Sequence, residues 1–290
     1  MATVALLANP RAGRGRGGRL AGPVREALAA AGLRVVVLSG ESGAESVALA
    51  SDAVGTGVDA VVAVGGDGLV HCAVQAVAGT GVPLGIVPAG GGNDLAGILG
   101  LPTDQAGAVA VIAAGRTRDV DVGRTDGGTW WAGVLNAGFD SQVVARAERM
   151  RRPRGPLRYD LAAYLEIANL RHHRMRITLD GVTTEQEVTL VAVGNSSRYG
   201  GGMLIAPGAD LADGVFEVVV ADAMTRATLA RLKPLVRAGA HVRHPQVHVH
   251  RAVSVTLDAP DLPAYADGEP IGPLPVSTTC VPGAMRVLVP

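Results

Sequence analysis

The sequence predicts an α/β protein in two parts: an N-terminal Rossmann-like parallel-sheet domain and a C-terminal, mainly antiparallel β-sandwich domain. Three observations carry this expectation. Short Val/Leu/Ile runs alternate with Ala-rich segments of helical length up to residue 122, and Gly-rich segments fall behind several of those runs. Beyond Asp121 the texture changes to β-like segments joined by Asp-Gly pairs. The chain has 290 residues, enough for two domains at about 150 residues each. The composition shift draws them at 1–124 and 125–290, with the last strand free to return to the first domain.

In chain order, the apolar runs of the first part are TVALLAN (3–9), LRVVVLS (33–39), DAVVAVGG (59–66), PLGIVPAG (83–90) and TRDVDVG (117–123). Apolar runs separated by helices suit a parallel sheet covered on both faces, and such sheets collect ligands at the carboxyl ends of their strands. In the second part RMRITLD (174–180), EVTLVAVGN (187–195), QVHVH (246–250) and VSVTLD (253–258) read as strands. The pairs in DGGTW, LDGVTT, LADGV and YADGEP read as turns between antiparallel partners. Helices are expected around 157–170 and 225–238.

Composition removes several function classes. The 48% hydrophobic and 18% charged content is that of a globular protein, and the 3% aromatic share leaves few rings for stacking on bases. Basic and acidic residues balance at 26 each, which argues against a nucleic-acid partner. Cys72 and Cys280 lie far apart and read as buried apolar thiols. No apolar stretch approaches the ~20 residues needed to cross a bilayer. The expectation is a cytoplasmic protein whose membrane contact, if any, is peripheral.

The most informative stretches are rich in glycine. In GRGRGG, Gly13, Gly15 and Gly18 fit a dinucleotide fingerprint with Glu41 after the second strand, but Asn9-Pro10 interrupts the first strand ahead of them. A loop touching phosphate through Arg11, Arg14 and Arg16, or a plain flexible loop, reads equally well. In VGGDG, glycines let backbone N–H groups approach a phosphate, and Asp67 between them suits a magnesium ion or its water; alone, it also reads as a capped strand-to-helix turn. PAGGGNDLAG repeats the pattern with Asn93 and Asp94 opening a helix, and Asp121 ends the next run. Three carboxylates and glycine turns on one rim suit a magnesium nucleotide.

The blocks VGGDGLVHCAVQAV, GIVPAGGGNDLAGILGLP, DVDVG, NAGFDSQVV, VGNSSRYGGGMLIAPGADLADGVFEVVV and DGEP, in this order, resemble the diacylglycerol kinase catalytic-domain family of bacterial lipid kinases and sphingosine kinases. The resemblance implies ATP in a cleft between the two domains, bordered by Asn9, Ser39, Gly65, Gly66, Asp67, Gly68, Leu69, His71, Gly91 and Asn93. It implies a magnesium network of Asp67, Asp94 and Asp121, with Glu269 as general base and Asp267 orienting metal or base. It further implies a structural magnesium held by Asp213 and by the main-chain carbonyls of Asp210 and Val215. The acceptor would be the hydroxyl of a diacylglycerol-like or sphingoid membrane lipid.

Three positions depart from the family pattern: Leu69 stands for a Thr, His71 for an Asn and Gly91 for a Thr, each losing a hydroxyl or amide near the phosphates. These departures keep open a soluble acceptor, as in NAD kinases, and a non-catalytic nucleotide or lipid sensor. His241, His244, His248 and His250 read as family sequence rather than a zinc site. Six arginines between Arg146 and Arg158 read as a solvated loop or as contacts to anionic headgroups. A homodimer through an exposed strand edge also stays open.

Overall fold

The structure is a computed structural model that describes residues 1–9, 16–150, 152–153 and 155–290. Arg11, Gly13, Arg14 and Gly15 of the first glycine loop, and Arg151 and Arg154 of the arginine run, lie outside the described residues.

The first part runs β1 (Thr3–Ala8), α1 (Arg16–Ala30), β2 (Arg34–Ser39), α2 (Gly43–Gly55), β3 (Ala60–Gly65), α3 (Asp67–Val77), β4 (Leu84–Pro88), α4 (Asp94–Ile98), α5 (Gln105–Ala114) and β5 (Thr117–Thr125). β2, β1, β3 and β4 pair in that order, all parallel. α1 packs beside α5 and α2 beside α3. β1, β3 and β4 are buried along nearly their whole length, as their unbroken Val/Leu/Ile/Ala content requires. β2 is equally apolar but ends the sheet, and Val36 and Val37 are 40% and 46% exposed. Its composition does not reveal that edge position. Gly18, the third glycine of the trial fingerprint, lies inside α1.

TRDVDVG departs from the expectation. β5 does not extend the parallel set; it runs antiparallel to β15 (Val276–Leu288), from Thr125 opposite Thr278 to Thr117 opposite Leu288. The end of β15 then lies parallel to β4, Val287 opposite Leu84. An apolar strand next to a parallel sheet carries no mark of its own direction, which was set here by a partner about 160 residues later.

The second part runs β6 (Trp130–Trp131), β7 (Val134–Gly138), α6 (Phe139–Arg149), α7 (Pro156–Ala168), β8 (His173–Leu179), β9 (Val182–Gly194), β10 (Phe216–Asp222), α8 (Arg226–Val236), β11 (Val247–Ala252), β12 (Ser254–Asp258), β13 (Pro263–Ala266) and β14 (Glu269–Pro273) before β15. Strand pairs within it are antiparallel. Two of the Asp-Gly turns take the two-residue, positive-φ form that suits a twisted hairpin: Asp180 and Gly181 at φ 47° and 86°, Asp267 and Gly268 at 54° and 84°.

Strand periodicity divides the core. On β9 and β10, Val191, Val193, Val218 and Val220 face the sandwich interior, while Leu190, Ala192, Val219 and Ala221 face a second cluster beneath α6, α7 and α8. The expected helices appear as α7 and α8. α6 was not anticipated, although Phe139, Val143 and Ala147, spaced by four, form its buried face.

Trp131 is fully buried, stacks on Phe216 at 4.9 Å between centroids and donates its Nε1–H to Thr278 Oγ1 at 2.9 Å. Gly123 lies opposite it on β5, where an added Cβ would sit 2.0 Å from the indole. Gly123→Ala is expected to lower the unfolding free energy by about 1–3 kcal/mol, read from a denaturant titration.

Candidate active site

The parallel register aligns Ala8, Ser39 and Val64, and Gly65 with Pro88. Asn9, Ser39, Gly65, Gly66 and the turn at 89–93 therefore share the carboxyl edge of the sheet. There the two glycine turns touch backbone to backbone: a Cβ on Gly90 would lie 2.5 Å from Gly66 Cα, and one on Gly92 2.5 Å from Asp67 Oδ2. Glycine is required here first for this contact. Gly91 differs, since a Cβ there meets nothing within 4 Å.

Asp67 opens α3 and joins the turns, accepting the N–H of Asn93 on Oδ2 and that of Asp94 on Oδ1, each at 2.8 Å. Asn93 takes the left-handed conformation at φ 54° and closes its own turn onto Gly90. Asp94 in turn accepts the N–H groups of Gly201 and Gly202 at 2.9 and 2.7 Å, linking the first part to the second. Three consecutive positive-φ glycines, 200 to 202, shape that loop. Burial raises the Asp94 carboxyl above its usual range; the Gly201 amide opposes this, and the charge of Asp67 adds to it.

On the other side of the edge, α3 reaches the hairpin that carries Glu269. His71 Nδ1 lies 3.2 Å from Asp267 Oδ2, and one turn on Gln75 exchanges hydrogen bonds with the main chain of Trp130 at 2.6 and 3.0 Å. Asp267 also accepts the N–H groups of Ala132 and Gly133 at 2.9 and 2.7 Å. Burial by itself would lower the His71 imidazole, but the hydrogen bond and charge of Asp267 and the charge of Glu269 outweigh it, so its pKa is raised.

Glu269 projects beside the first turn of α3, where a Cβ on Gly68 would be 3.2 Å from its Oε1. Its carboxylate has no hydrogen-bond partner among the described residues. Partial burial raises its carboxyl, His71 opposes this, and the charges of Glu148 and Asp267 raise it further. An unengaged carboxylate of raised basicity at the opening of a glycine turn is suited to accepting a proton.

Other expected site residues lie elsewhere. Leu69 is 7% exposed in the core of the first part, in contact range of Gly65, so its side chain fills space rather than lining the edge. Asp121 is buried and accepts the N–H groups of Gly214 and Gly283 at 2.7 and 2.8 Å, fastening β5 to the 208–215 loop and to β15. Asp67 and Asp94 thus form a pair, and Asp121 is engaged apart from it.

That pair fits a magnesium ion on a nucleotide: Asp67 and Asp94 are neighbouring carboxylates, Asp94 raised first by burial and further by the charge of Asp67, and they would supply the hard oxygen ligands that magnesium prefers. The expected structural magnesium fits less well. Asp213 is paired with Arg251 and accepts the N–H of Val215, while Asp210 accepts the N–H of Ala212 with Arg118 at 3.8 Å. Arginine charge thus lies beside both carboxylates of that loop.

Several supporting residues had no role in the sequence reading. Tyr199 donates its hydroxyl to Asp140, anchoring the loop whose amides hold Asp94. Burial pushes the Asp140 carboxyl up to about 6, only partly offset by that bond. Asn195 donates to the carbonyls of Asp121 and Ala132, both at 2.8 Å. These residues fall inside the motif blocks quoted above or beside them, and that was their only signal. His241 is buried on the Ile205 carbonyl, and His248 pairs with Asp222, so the histidines serve separate contacts. Cys280 is buried and Cys72 half-buried.

Residues 3–125 match the family described as the diacylglycerol kinase catalytic domain, and residues 133–289 match the YegS C-terminal NAD kinase beta sandwich-like domain. A diacylglycerol kinase of Mycobacterium tuberculosis is 41% identical over 99% of this chain and 95% of its own length. One of Staphylococcus aureus is 28% identical over 76% and 70%. A crystal structure of a diacylglycerol kinase from Bacillus anthracis str. Sterne has the same fold, with a TM-score of 0.74 at 19% identity over 100% of this chain and 97% of that one.

Proposed function

The chain belongs to the diacylglycerol kinase catalytic-domain family, and from that membership we propose an ATP- and magnesium-dependent kinase that phosphorylates the hydroxyl of a diacylglycerol-like or sphingoid lipid. The observation that carries the chemistry is the Glu269 carboxylate, free of hydrogen-bond partners among the described residues and set beside Gly68 at the opening of α3.

In this reading the N–H groups of the glycine turns at 65–68 and 90–92 bind the nucleotide phosphates, and Asp67 with Asp94 holds the magnesium ion, which neutralises charge on the phosphate oxygens. Glu269 takes the proton of the lipid hydroxyl as that oxygen bonds to the γ-phosphorus. The bond from that phosphorus to the bridging oxygen breaks, ADP leaves, and the lipid carries the phosphate. His71 and Gln75 act on geometry: spaced by four on one helix, they tie the element that begins at Asp67 to the hairpin and β6 segment around Glu269. One helix thereby sets the separation between base and phosphates. Asp267 has a positioning role: its contacts to His71 Nδ1 and to the N–H groups of Ala132 and Gly133 hold the hairpin in place and leave Glu269 to react.

The test is transfer of labelled γ-phosphate from ATP to a panel of diacylglycerol, sphingosine, ceramide and phosphatidylglycerol in mixed micelles, with magnesium and with excess chelator. Labelled lipid that requires magnesium supports the proposal. Nucleotide binding with no lipid labelled, or label on a soluble acceptor such as NAD, overturns it.

A further inference from the structure

Surface helices normally bury their large apolar side chains and expose polar ones. α7 is apolar on both faces. Against the rest of the protein it sets Ala162, Ala163 and Ile167, together with Glu166, which is paired to Arg146 of α6. To solvent it presents Leu157, Leu161, Tyr164 and Leu165, which are 67%, 40%, 62% and 37% exposed. Positions i, i+4, i+7 and i+8 share one helix face, so this is a continuous apolar stripe. Tyr159 adds a further 43% exposed ring, so two of the chain's four tyrosines stand exposed on a single helix.

Charge marks one end of the stripe. Arg149 at the end of α6, Arg152 in the connection and Arg158 in the first turn of α7 have no acidic partner among the described residues, and Arg158 lies over the Tyr159 ring at 5.2 Å. At the other side Lys233 of α8 sits over the Tyr164 ring at 4.5 Å. Apolar side chains and interfacial tyrosines beside unpaired arginines are complementary to a bilayer surface carrying anionic headgroups. No helix among the described residues is long and apolar enough to cross a membrane, so any such contact is made from one side.

The helix is linked to the chemistry through α6. α7 packs on α6, and Glu148 of α6 accepts a hydrogen bond from the Tyr265 hydroxyl at 3.2 Å on β13, the strand that leads into the Glu269 hairpin.

We propose that α7 is the membrane-docking element of this protein: Leu157, Leu161, Tyr164 and Leu165 enter the headgroup and acyl boundary while Arg149, Arg152 and Arg158 engage lipid phosphates. The inference rests on the lipid-kinase reading for its purpose, but its contact can be measured without catalysis.

The experiment is flotation of the full chain with vesicles of phosphatidylcholine, alone or mixed with phosphatidylglycerol. The wild type is expected to float with the mixed vesicles, and less so at raised salt. Leu157→Asp combined with Tyr164→Asp is expected to reduce the bound fraction by about tenfold or more, with an unchanged circular dichroism melt because both side chains are largely exposed. Arg149→Glu with Arg152→Glu is expected to remove the preference for phosphatidylglycerol. Turnover of a short-chain lipid dissolved as monomers should be unaffected by the Leu157 and Tyr164 changes, while turnover of vesicle-borne lipid falls. Wild-type-like flotation of the Asp variant overturns docking by α7. So does a wild-type dimer that the Asp variant splits while vesicle binding is kept, since the stripe then belongs to a second copy. Flotation through α7 with no lipid phosphorylated under any condition leaves the docking element standing and removes the lipid-kinase reading alone.

Discussion

Glu269→Gln is expected to lower kcat by about 10²–10⁴-fold, the usual worth of a positioned general base, with ATP affinity retained. The glutamine keeps the size of the side chain and its place beside Gly68 but cannot take the hydroxyl proton. Steady-state turnover with an ATP titration separates the two quantities. A parallel rise in the KM for ATP would instead assign Glu269 to nucleotide binding. The same carboxylate sets a pH dependence. Only its ionised form accepts a proton, so kcat/KM falls as the pH drops through the Glu269 pKa. Burial holds that pKa above the usual carboxylate range, and the acid limb should lie correspondingly high. The neighbouring His71 works in the opposite direction, stabilising the carboxylate. His71→Asn preserves a donor for Asp267 while removing the ring whose charge lowers the Glu269 pKa, and the acid limb should then move to higher pH. A limb that stays in place would mean that another group titrates.

Asp67→Asn should damage both stability and magnesium use. Each oxygen of Asp67 accepts a main-chain N–H, from Asn93 and from Asp94. An amide at this position must turn its NH2 toward one of those donors, leaving a partly buried N–H without an acceptor, a loss of about 1–3 kcal/mol. The substitution also removes one of the two charges expected to hold the metal. Thermal or denaturant unfolding reads the first effect, and a magnesium titration of turnover, displaced to higher concentration, reads the second. A stability loss with an unchanged magnesium titration would leave Asp67 as a link between the glycine turns and no more.

Much of this molecule was legible along the chain. Each apolar run of the first part became a strand, and β1, β3 and β4 lie covered in the parallel sheet that unbroken Val, Leu and Ile suit. The Asp-Gly pairs at 180–181 and 267–268 became hairpin turns, because positive φ at two adjacent positions favours those residues. Asp67 and Asp94 came together because both follow glycine turns at the same strand edge. Other features had weaker local signals. The buried stripe of α6, Phe139, Val143 and Ala147, is short and begins right behind β7, and no helix was expected there. Leu69 was placed with its motif rather than with its burial, yet the helix rotates it into the core while Gly68 and His71 face the Glu269 hairpin.

The sequence by itself determined the element types, the two textures and the glycine-aspartate turns, since these depend on backbone preferences and on periodicities of two or about 3.6 residues. Only the tertiary structure decided the direction of β5, the engagement of Asp121 with Gly214 and Gly283, the pairing of Asp213 with Arg251, and the outward turn of the apolar stripe on α7. Each of these depends on a partner far away in the chain or, for α7, on which face its neighbours leave uncovered. Local sequence carries the preference of a residue for a conformation or for burial, but the identity of the group that meets it is settled when distant segments pack.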